Sequence, residues 1–341
     1  MSKDEQYMHR ALELARHGLG QVSPNPLVGC VIVYNDTVIG EGWHRKVGEA
    51  HAEVNAIHSV KEPALLQESS VYVTLEPCSH HGRTPPCADL LVEHKVKEVI
   101  IAVQDPNPLV SGRGIRKLEK AGIQVKTGIL GEQARETNKR FLTYINKQRP
   151  YIILKWAQTS DGCIARDNYD SKWISEPASR LLVHQWRSEE DAILVGTNTA
   201  RFDDPKLNVR EVTGRDPVRV VIDKRLQLPK KLHLFDGSQK TLCYNLVENK
   251  VEGLTQFICL QEQAFLESLL EDLKAREIQS LIIEGGAQLL NSFINAGLWD
   301  EARVFVAPGT FGSGVAAPSL KTPAAETKII SDKLLYFTNP Y

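Results

Sequence analysis

The chain has 341 residues, 41 basic and 42 acidic side chains, 42% hydrophobic residues and 24% charged residues. These values are ordinary for a folded globular protein and exclude a disordered or fibrous class. The near-neutral balance also makes nucleic acid a poor candidate partner. Because single hydrophobic cores stop growing at about 250–300 residues, this length predicts two domains.

Two further absences restrict the class of protein. The N-terminal residues 1–6 contain no cationic segment followed by an apolar run, and nowhere do about 18 apolar residues follow one another. We therefore expect a cytoplasmic protein without membrane contact. The 6 cysteines are too sparse for a disulfide scaffold. A cysteine cluster in this chain therefore indicates a metal or a catalytic site.

The first part of the chain alternates between helix and strand patterns. Apolar spacing predicts a helix over 5–17, and two β-rich runs predict a hairpin over 27–41. The pattern continues with helices near 52–60, 86–94 and 115–121 and with strands near 71–75, 99–103 and 123–125. This alternation predicts an α/β sheet with helices on both faces.

A polar segment, 146–150, ends in a proline and predicts a domain boundary between residues 1–146 and 151–341. A second α/β pattern follows it. We expect strands near 151–156, 192–195, 218–222, 241–244, 281–283 and 302–306, with helices near 178–188, 265–276 and 287–295.

The first domain contains His51-Ala52-Glu53, Pro77-Cys78 and Pro86-Cys87. One imidazole and two thiolates leave the fourth position of a tetrahedral zinc ion open for a water molecule. Glu53 would carry protons between that water and a leaving amine, as in zinc deaminases. His51 and Cys87 are each expected at a helix start, where the helix dipole favours thiolates.

Other interpretations of these residues remain open. Zinc deaminases have the spacing C-x2-C, whereas eight residues separate Cys78 from Cys87 here. A closed structural zinc site would take its fourth ligand from His80 or His81, but such a site has no use for Glu53. Both histidines could instead be solvated loop residues, and the cysteines could be ordinary buried side chains.

Four segments, 24–29, 51–54, 74–80 and 105–108, resemble the bifunctional deaminase-reductases of riboflavin biosynthesis. The resemblance implies a cytidine-deaminase-like three-layer αβα fold, with Zn2+ on His51, Cys78 and Cys87. It implies deamination of a phosphoribosylamino-diaminopyrimidinone to the corresponding uracil. The residues that would hold the ring and the phosphate are Asn25, His44, Arg83, Asp105 and Asn107. Without the resemblance, an asparagine between two prolines is as often a simple turn residue.

In the second domain, Gly285-Gly286 between a strand and a helix is a weak signal for a phosphate cradle. No G-x-G-x-x-G follows a strand, which disfavours a Rossmann domain. The resemblance implies a dihydrofolate-reductase-like fold that uses NADPH to reduce the ribosyl group. The implied nucleotide contacts are Ala157, Trp173, Thr199, Asp203, Gly285 and Gly286. The implied substrate contacts are Ser171, Arg187, Leu207, Arg210 and Glu284.

Proton handling in the reductase is expected of Lys155 and Asp203, with Glu284 as a third ionisable group. Structural ion pairs are an equally common fate for such residues, and Trp173 could belong to the core. The resemblance also implies a homo-oligomer.

Two rival functions compete with the enzyme hypothesis. A base-editing deaminase would need an RNA-binding second domain, which the charge balance and the lack of such a motif disfavour. An inactive scaffold would not need Glu53 beside His51.

Overall fold

A computed structural model of the chain describes residues 1–79, 85–107, 111–171 and 174–339. The chain divides into two compact units, Met1–Gln148 and Arg149–Tyr341. In the described residues, no helix is both long enough and apolar enough to span a bilayer.

The first unit is built around one mixed sheet. Its helices are α1 (Lys3–Arg16), α2 (Ala52–Ser59), α3 (Cys87–Glu93), α4 (Arg113–Lys120), α5 (Gly131–Thr137) and α6 (Lys139–Asn146). Its strands are β1 (Gly29–Tyr34), β2 (Thr37–Trp43), β3 (Ser70–Leu75), β4 (Glu98–Val103) and β5 (Gln124–Thr127). The strand order is β2-β1-β3-β4-β5, in which β1 is antiparallel to both neighbours and β3, β4 and β5 are parallel.

Helices cover both faces of this sheet. On one face, Met8 and Leu12 of α1 and Ala134 of α5 pack against alternate strand residues. On the other face, α2, α3 and α4 contribute Ala56, Leu91 and their neighbours to a second cluster. The alternation of strand side chains between faces explains the two cores. The predicted three-layer αβα arrangement is therefore confirmed.

Helices α5 and α6 were not predicted. Helix α6 buries none of its residues fully, although Phe141, Leu142, Tyr144 and Ile145 recur at helical spacing, so its apolar period was overlooked. Asn138, between the two helices, nevertheless binds Leu27, which is distant in the sequence. The Asn138 side chain accepts the backbone N–H of Leu27 at 2.8 Å and donates to the Leu27 carbonyl at 2.9 Å, and both bonds are buried.

The second unit contains a larger sheet. Its helices are α7 (Pro177–Glu189), α8 (Thr197–Asp203), α9 (Phe265–Ala275) and α10 (Ala287–Asn295). Its strands are β6 (Tyr151–Thr159), β7 (Cys163–Ala165), β8 (Ala192–Gly196), β9 (Val218–Ile222), β10 (Thr241–Asn245), β11 (Lys250–Glu252), β12 (Thr255–Cys259), β13 (Ser280–Ile283), β14 (Glu301–Ala307), β15 (Val315–Ala316), β16 (Ala325–Ile329) and β17 (Asp332–Thr338).

The order of this sheet within the described residues is β11-β12-β10-β9-β8-β13-β6-β14-β17-β16. From β12 through β14 in this order, neighbouring strands are parallel. At the two edges, β11 is antiparallel to β12, and β17 is antiparallel to both β14 and β16. The central strands are buried on both faces, as parallel strands usually are. Their carboxyl ends open on one edge, where ligands of α/β sheets commonly bind.

Candidate active sites

The predicted metal donors of the first unit lie together. His51 is the N-cap of α2, Cys87 opens α3, and Cys78 follows β3. Their nitrogen and sulfur atoms all lie within 4.8 Å of one another, with His51 Nδ1 3.6 Å from the Cys78 sulfur and 3.4 Å from the Cys87 sulfur. Both thiols are free of disulfides. One imidazole and two thiols are a donor set that fits zinc.

The contacts within the cluster favour the thiolate form of Cys78. A hydrogen bond from the Cys87 thiol is the main cause that lowers the pKa of Cys78, and His51 adds to it. The backbone N–H of Cys87 also donates to the Cys78 sulfur at 3.2 Å. The pKa of Cys87 is raised, because the two sulfurs share a proton in a buried place. Cys78 is therefore the thiol of the pair that loses its proton first, and the thiolate is the form that binds a metal.

Glu53 lies in the first turn of α2, and only 3% of it is exposed. Burial, with a smaller contribution from the Cys78 thiolate, raises the pKa of its carboxyl to about 7. A carboxyl with this pKa can both accept and release a proton near neutrality, which is the property required of a general acid-base.

Asn25 and His44 belong to the same neighbourhood. The Asn25 side-chain nitrogen lies 3.0 Å from His44 Nε2, and His44 Nδ1 lies 3.1 Å from the Ala50 carbonyl. The His44 ring meets the His51 ring edge to face at 5.5 Å. Burial lowers the pKa of His44, so a neutral imidazole faces the amide. The structure thus brings Asn25 and His44 to the metal donors.

Asp105 and Asn107 follow the carboxyl end of β4, parallel to β3, whose carboxyl end leads to Cys78. The Asp105 carboxylate accepts the backbone N–H of Asn107 at 2.8 Å. Arg83, together with His80 and His81, lies outside the described residues, as does Trp173 of the second unit.

The second unit contains a cavity of about 1030 Å³. Every predicted cofactor, substrate and catalytic residue of this unit that the structure describes lines it, namely Lys155, Ala157, Ser171, Arg187, Thr199, Asp203, Leu207, Arg210, Glu284, Gly285 and Gly286. Residues that are widely separated in the chain therefore meet around one volume, large enough for a nucleotide and a second ligand.

Three charges meet at the bottom of this cavity. Arg187 of α7 binds Glu284, directly after β13, with Nε and Nη2 at 2.8 and 2.7 Å. Lys155 Nζ of β6 lies 3.7 Å from the same carboxylate. Arg187 and Lys155 outweigh the opposing effect of burial and hold the pKa of Glu284 at about 2. Burial lowers the pKa of Lys155 despite this partner, so Lys155 gives up its proton more easily than a solvated lysine.

Asp203 and the glycine pair complete the cavity. The hydroxyl of Ser171 donates to Asp203 Oδ1 at 3.0 Å. Gly285 has a φ of +100°, and a Cβ on Gly286 would lie 3.2 Å from Thr199 Oγ1. Glycine therefore leaves both the backbone and the N-terminus of α10 accessible to an anionic group.

Three of the titratable cavity residues that sequence reasoning missed are His184, Lys224 and Arg225. His184 lies one turn before Arg187 on α7, and its Nδ1 accepts the Arg210 backbone N–H at 3.4 Å. The i,i+3 spacing on the predicted helix was a signal for it. Lys224 and Arg225 also line the cavity just after β9. Their position beyond the carboxyl end of a predicted strand was the corresponding signal.

Two family models match the chain. The cytidine and deoxycytidylate deaminase zinc-binding region matches residues 1–103, and the RibD C-terminal domain matches residues 150–334. The riboflavin biosynthesis protein RibD of Aquifex aeolicus is 42% identical over 332 residues, which cover 96% of this chain and 93% of the relative. The Escherichia coli RibD is 38% identical over 329 residues, which cover 91% of this chain and 89% of the relative.

The chain belongs to the RibD family. Among solved structures, the deaminase/reductase of Thermotoga maritima is 36% identical, with a TM-score of 0.91 and 99% of each chain covered. One crystal form of Acinetobacter baumannii RibD is also 36% identical, with a TM-score of 0.90 and 99% of each chain covered. The predicted fold class, the pairing of a deaminase with a reductase and the cofactors zinc and NADPH are confirmed.

Proposed function

We propose that His51, Cys78 and Cys87 hold the zinc ion and that Glu53 is the proton carrier of the deaminase. The proposal rests on a buried carboxyl in the first turn of the helix whose N-cap, His51, is one of the three clustered donors. Bound zinc would supply an acidified water at its open position. Glu53 takes up a proton and returns it to the departing amine, so that ammonia leaves and an oxo group replaces the amino group.

The substrate of this step is 2,5-diamino-6-(5-phosphoribosylamino)pyrimidin-4(3H)-one. Asn25 presents an amide, which His44 orients, to the edge of the pyrimidine ring. Asp105 and Asn107 hold the ring and phosphate from the end of β4, and Arg83 supplies a cation. The deaminase domain is residues 1–146, and the reductase domain is residues 151–341.

The reductase acts on the deaminated product, 5-amino-6-(5-phosphoribosylamino)uracil. Bound NADPH would supply a hydride for the ribosyl carbon C1, opened as an imine. Ala157, Trp173, Thr199, Asp203 and the Gly285-Gly286 turn hold the nucleotide, and Ser171 and Leu207 contact the substrate. Lys155 and Asp203 handle the proton that balances the hydride, and Glu284 contacts the substrate beside them.

The two arginines differ in their surroundings. Nε and Nη2 of Arg187 bind Glu284, and Nη1 donates to the Asn208 carbonyl at 3.3 Å, so Arg187 orients Glu284 while it adds positive charge. The Arg210 side chain is about half exposed and donates to Asn208 Oδ1 at 3.2 Å. Arg210 is the better placed of the two to bind the substrate's 5-phosphate, in a bidentate manner.

The protein acts on a small molecule in the cytoplasm, binds neither nucleic acid nor membrane, and assembles as a homo-oligomer. The nearly equal numbers of basic and acidic side chains, 41 and 42, disfavour nucleic acid as a partner. The family membership favours the homo-oligomer.

The mass of the reaction product tests the proposed function. The zinc-loaded protein is incubated with the phosphorylated diaminopyrimidinone ribosylamine, with and without NADPH. We expect exchange of NH for O without NADPH, and a further gain of two hydrogen atoms with it. An unchanged substrate in both reactions would contradict the proposal. Deamination without reduction would support the proposed deaminase function but not the proposed reductase function.

A further inference from the structure

Glu76 is a buried carboxylate that directly follows β3, with only 4% of the residue exposed. It binds backbone amides. Oε2 accepts the N–H groups of Asp105 at 3.2 Å and Gly112 at 2.9 Å. Oε1 accepts the N–H of Gly114 at 2.9 Å and has a longer contact, 3.4 Å, with the N–H of Ile115. Both oxygens are therefore satisfied by the main chain.

The amides come from two structural elements. Asp105 lies two residues beyond the end of β4, whereas Gly112, Gly114 and Ile115 form the start of α4. The first N–H groups of a helix lack partners inside the helix and attract negative charge. The Glu76 backbone N–H also donates to the Val103 carbonyl at 2.9 Å. Glu76 thus joins the end of β3, the end of β4 and the start of α4.

This joint lies between the two halves of the deaminase site. Cys78, a proposed zinc ligand, follows Glu76 by two residues, and Asp105 and Asn107 are proposed substrate contacts. We propose that Glu76 is a positioning residue of the deamination reaction, which sets Asp105 and Asn107 at the correct place relative to the metal donors. This inference rests on the proposed function of the first unit.

Close packing limits the ways in which the joint can relax. A Cβ on Gly114 would lie 2.2 Å from the Pro77 carbonyl oxygen, so α4 contacts the segment between Glu76 and Cys78 directly. A glutamine at position 76 would replace one acceptor oxygen with an NH2 group that faces backbone donors. At least one of the two flanks, Asp105 or the start of α4, would have to move away.

The first test is Glu76→Gln in the full-length, zinc-loaded chain. A misplaced contact costs catalytic efficiency, so we expect the deaminase KM to rise by about 10- to 100-fold, with a much smaller change in kcat. Zinc content and NADPH-dependent reduction should stay unchanged. The matched control is Glu98→Gln, which removes a carboxylate bonded to Ser70 and Lys126 at the other end of β4. The control should keep the wild-type KM.

A second variant moves the same amides while the carboxylate stays in place. Gly114→Ala places a methyl group against the Pro77 carbonyl and should raise the deaminase KM in the same way. The Glu76→Gln/Gly114→Ala double variant should cost little more than either single change, since residues in one joint are not additive. If Glu76→Gln does not fold, Gly114→Ala alone decides the proposal.

The outcomes separate positioning from other roles. A raised KM with full zinc content supports the proposal. A wild-type KM in both variants, or a fall in kcat that follows zinc loss, would overturn it. Absence of deamination by the unaltered chain would instead refute the proposed function itself.

Discussion

The metal-donor cluster of the first unit and the cavity of the second encode their chemistry differently. The cluster takes its donors from residues 51 to 87, at two helix starts and one strand end. The cavity takes Lys155, Arg187, Asp203 and Glu284 from elements spread over more than a hundred residues. Scarce residue types in short motifs therefore define a metal site, whereas a nucleotide cavity depends on where ordinary residues meet.

Removal of the metal should distinguish the activities of the two units most strongly. Dialysis of the protein against 1,10-phenanthroline is expected to abolish ammonia release, because the acidified water is lost with zinc. Reduction of the pre-deaminated substrate by the same sample should continue at the normal rate. Added zinc should restore ammonia release. A parallel loss of both activities would contradict the separation.

Glu53→Gln keeps the size of the side chain but removes its proton chemistry. General acid-base groups contribute about 10²–10⁴-fold, so deaminase kcat should fall by about that factor. Zinc content and reductase rate should stay at wild-type values. The control is Glu49→Gln, an exposed carboxylate just before the same helix. Full deaminase activity of zinc-loaded Glu53→Gln would refute the proposed proton carrier.

Lys155→Met tests the cavity in the same way. The variant keeps the Arg187–Glu284 ion pair but removes the proposed proton donor, so reductase kcat should fall by about 10²-fold. Ammonia release should not change. Lys240→Met, at an exposed position before β10, is the control. A reductase rate within about twofold of wild type would leave Lys155 a structural role only.

His184 should make the stability of the second unit depend on pH. Burial, and then the charges of Arg187 and Arg210, lower its pKa from 6.5 to about 4. Because the folded pKa is the lower one, the unfolded chain binds more protons between these values. Above pH 6.5, His184 should therefore not reduce the free energy of unfolding. As the pH falls towards 4, this free energy should decrease by about 2–3 kcal/mol.

His184→Gln should remove this part of the pH dependence. Urea unfolding at pH 7 and near pH 4.5 measures it as the difference between the two conditions, wild type against variant. His58→Gln, an exposed histidine of α2, should behave like wild type. An equal pH dependence in wild type and His184→Gln would show that His184 does not carry the effect.

Much of the fold could be predicted from the sequence, because buried strands and amphipathic helices carry their own periodicity. Strand β9 and helix α10 have the predicted bounds. Helix α8 was missed, since among its residues only Ala200 is buried and no apolar period exists. The prediction failed where packing, and not the local pattern, stabilises an element.

The candidate sites show the same division. His51, Cys78 and Cys87 were recognisable because few residue types bind zinc. Glu76 was visible as part of a motif, but its partners are backbone amides 29 to 39 positions away, which no residue type reveals. Lys224 and Arg225 could have been singled out by their position after β9, but only the structure shows that they line a cavity.

The bond between Asn138 and Leu27 limits how short an independent deaminase could be. A fragment that stopped at Thr127 would keep every metal donor and all five strands of the first sheet. It would also lose both hydrogen bonds from Asn138 to Leu27, two residues after Asn25, together with Ala134 of α5, which packs on the sheet. A self-sufficient fragment must therefore extend at least through Asn138, well beyond the end of the sheet.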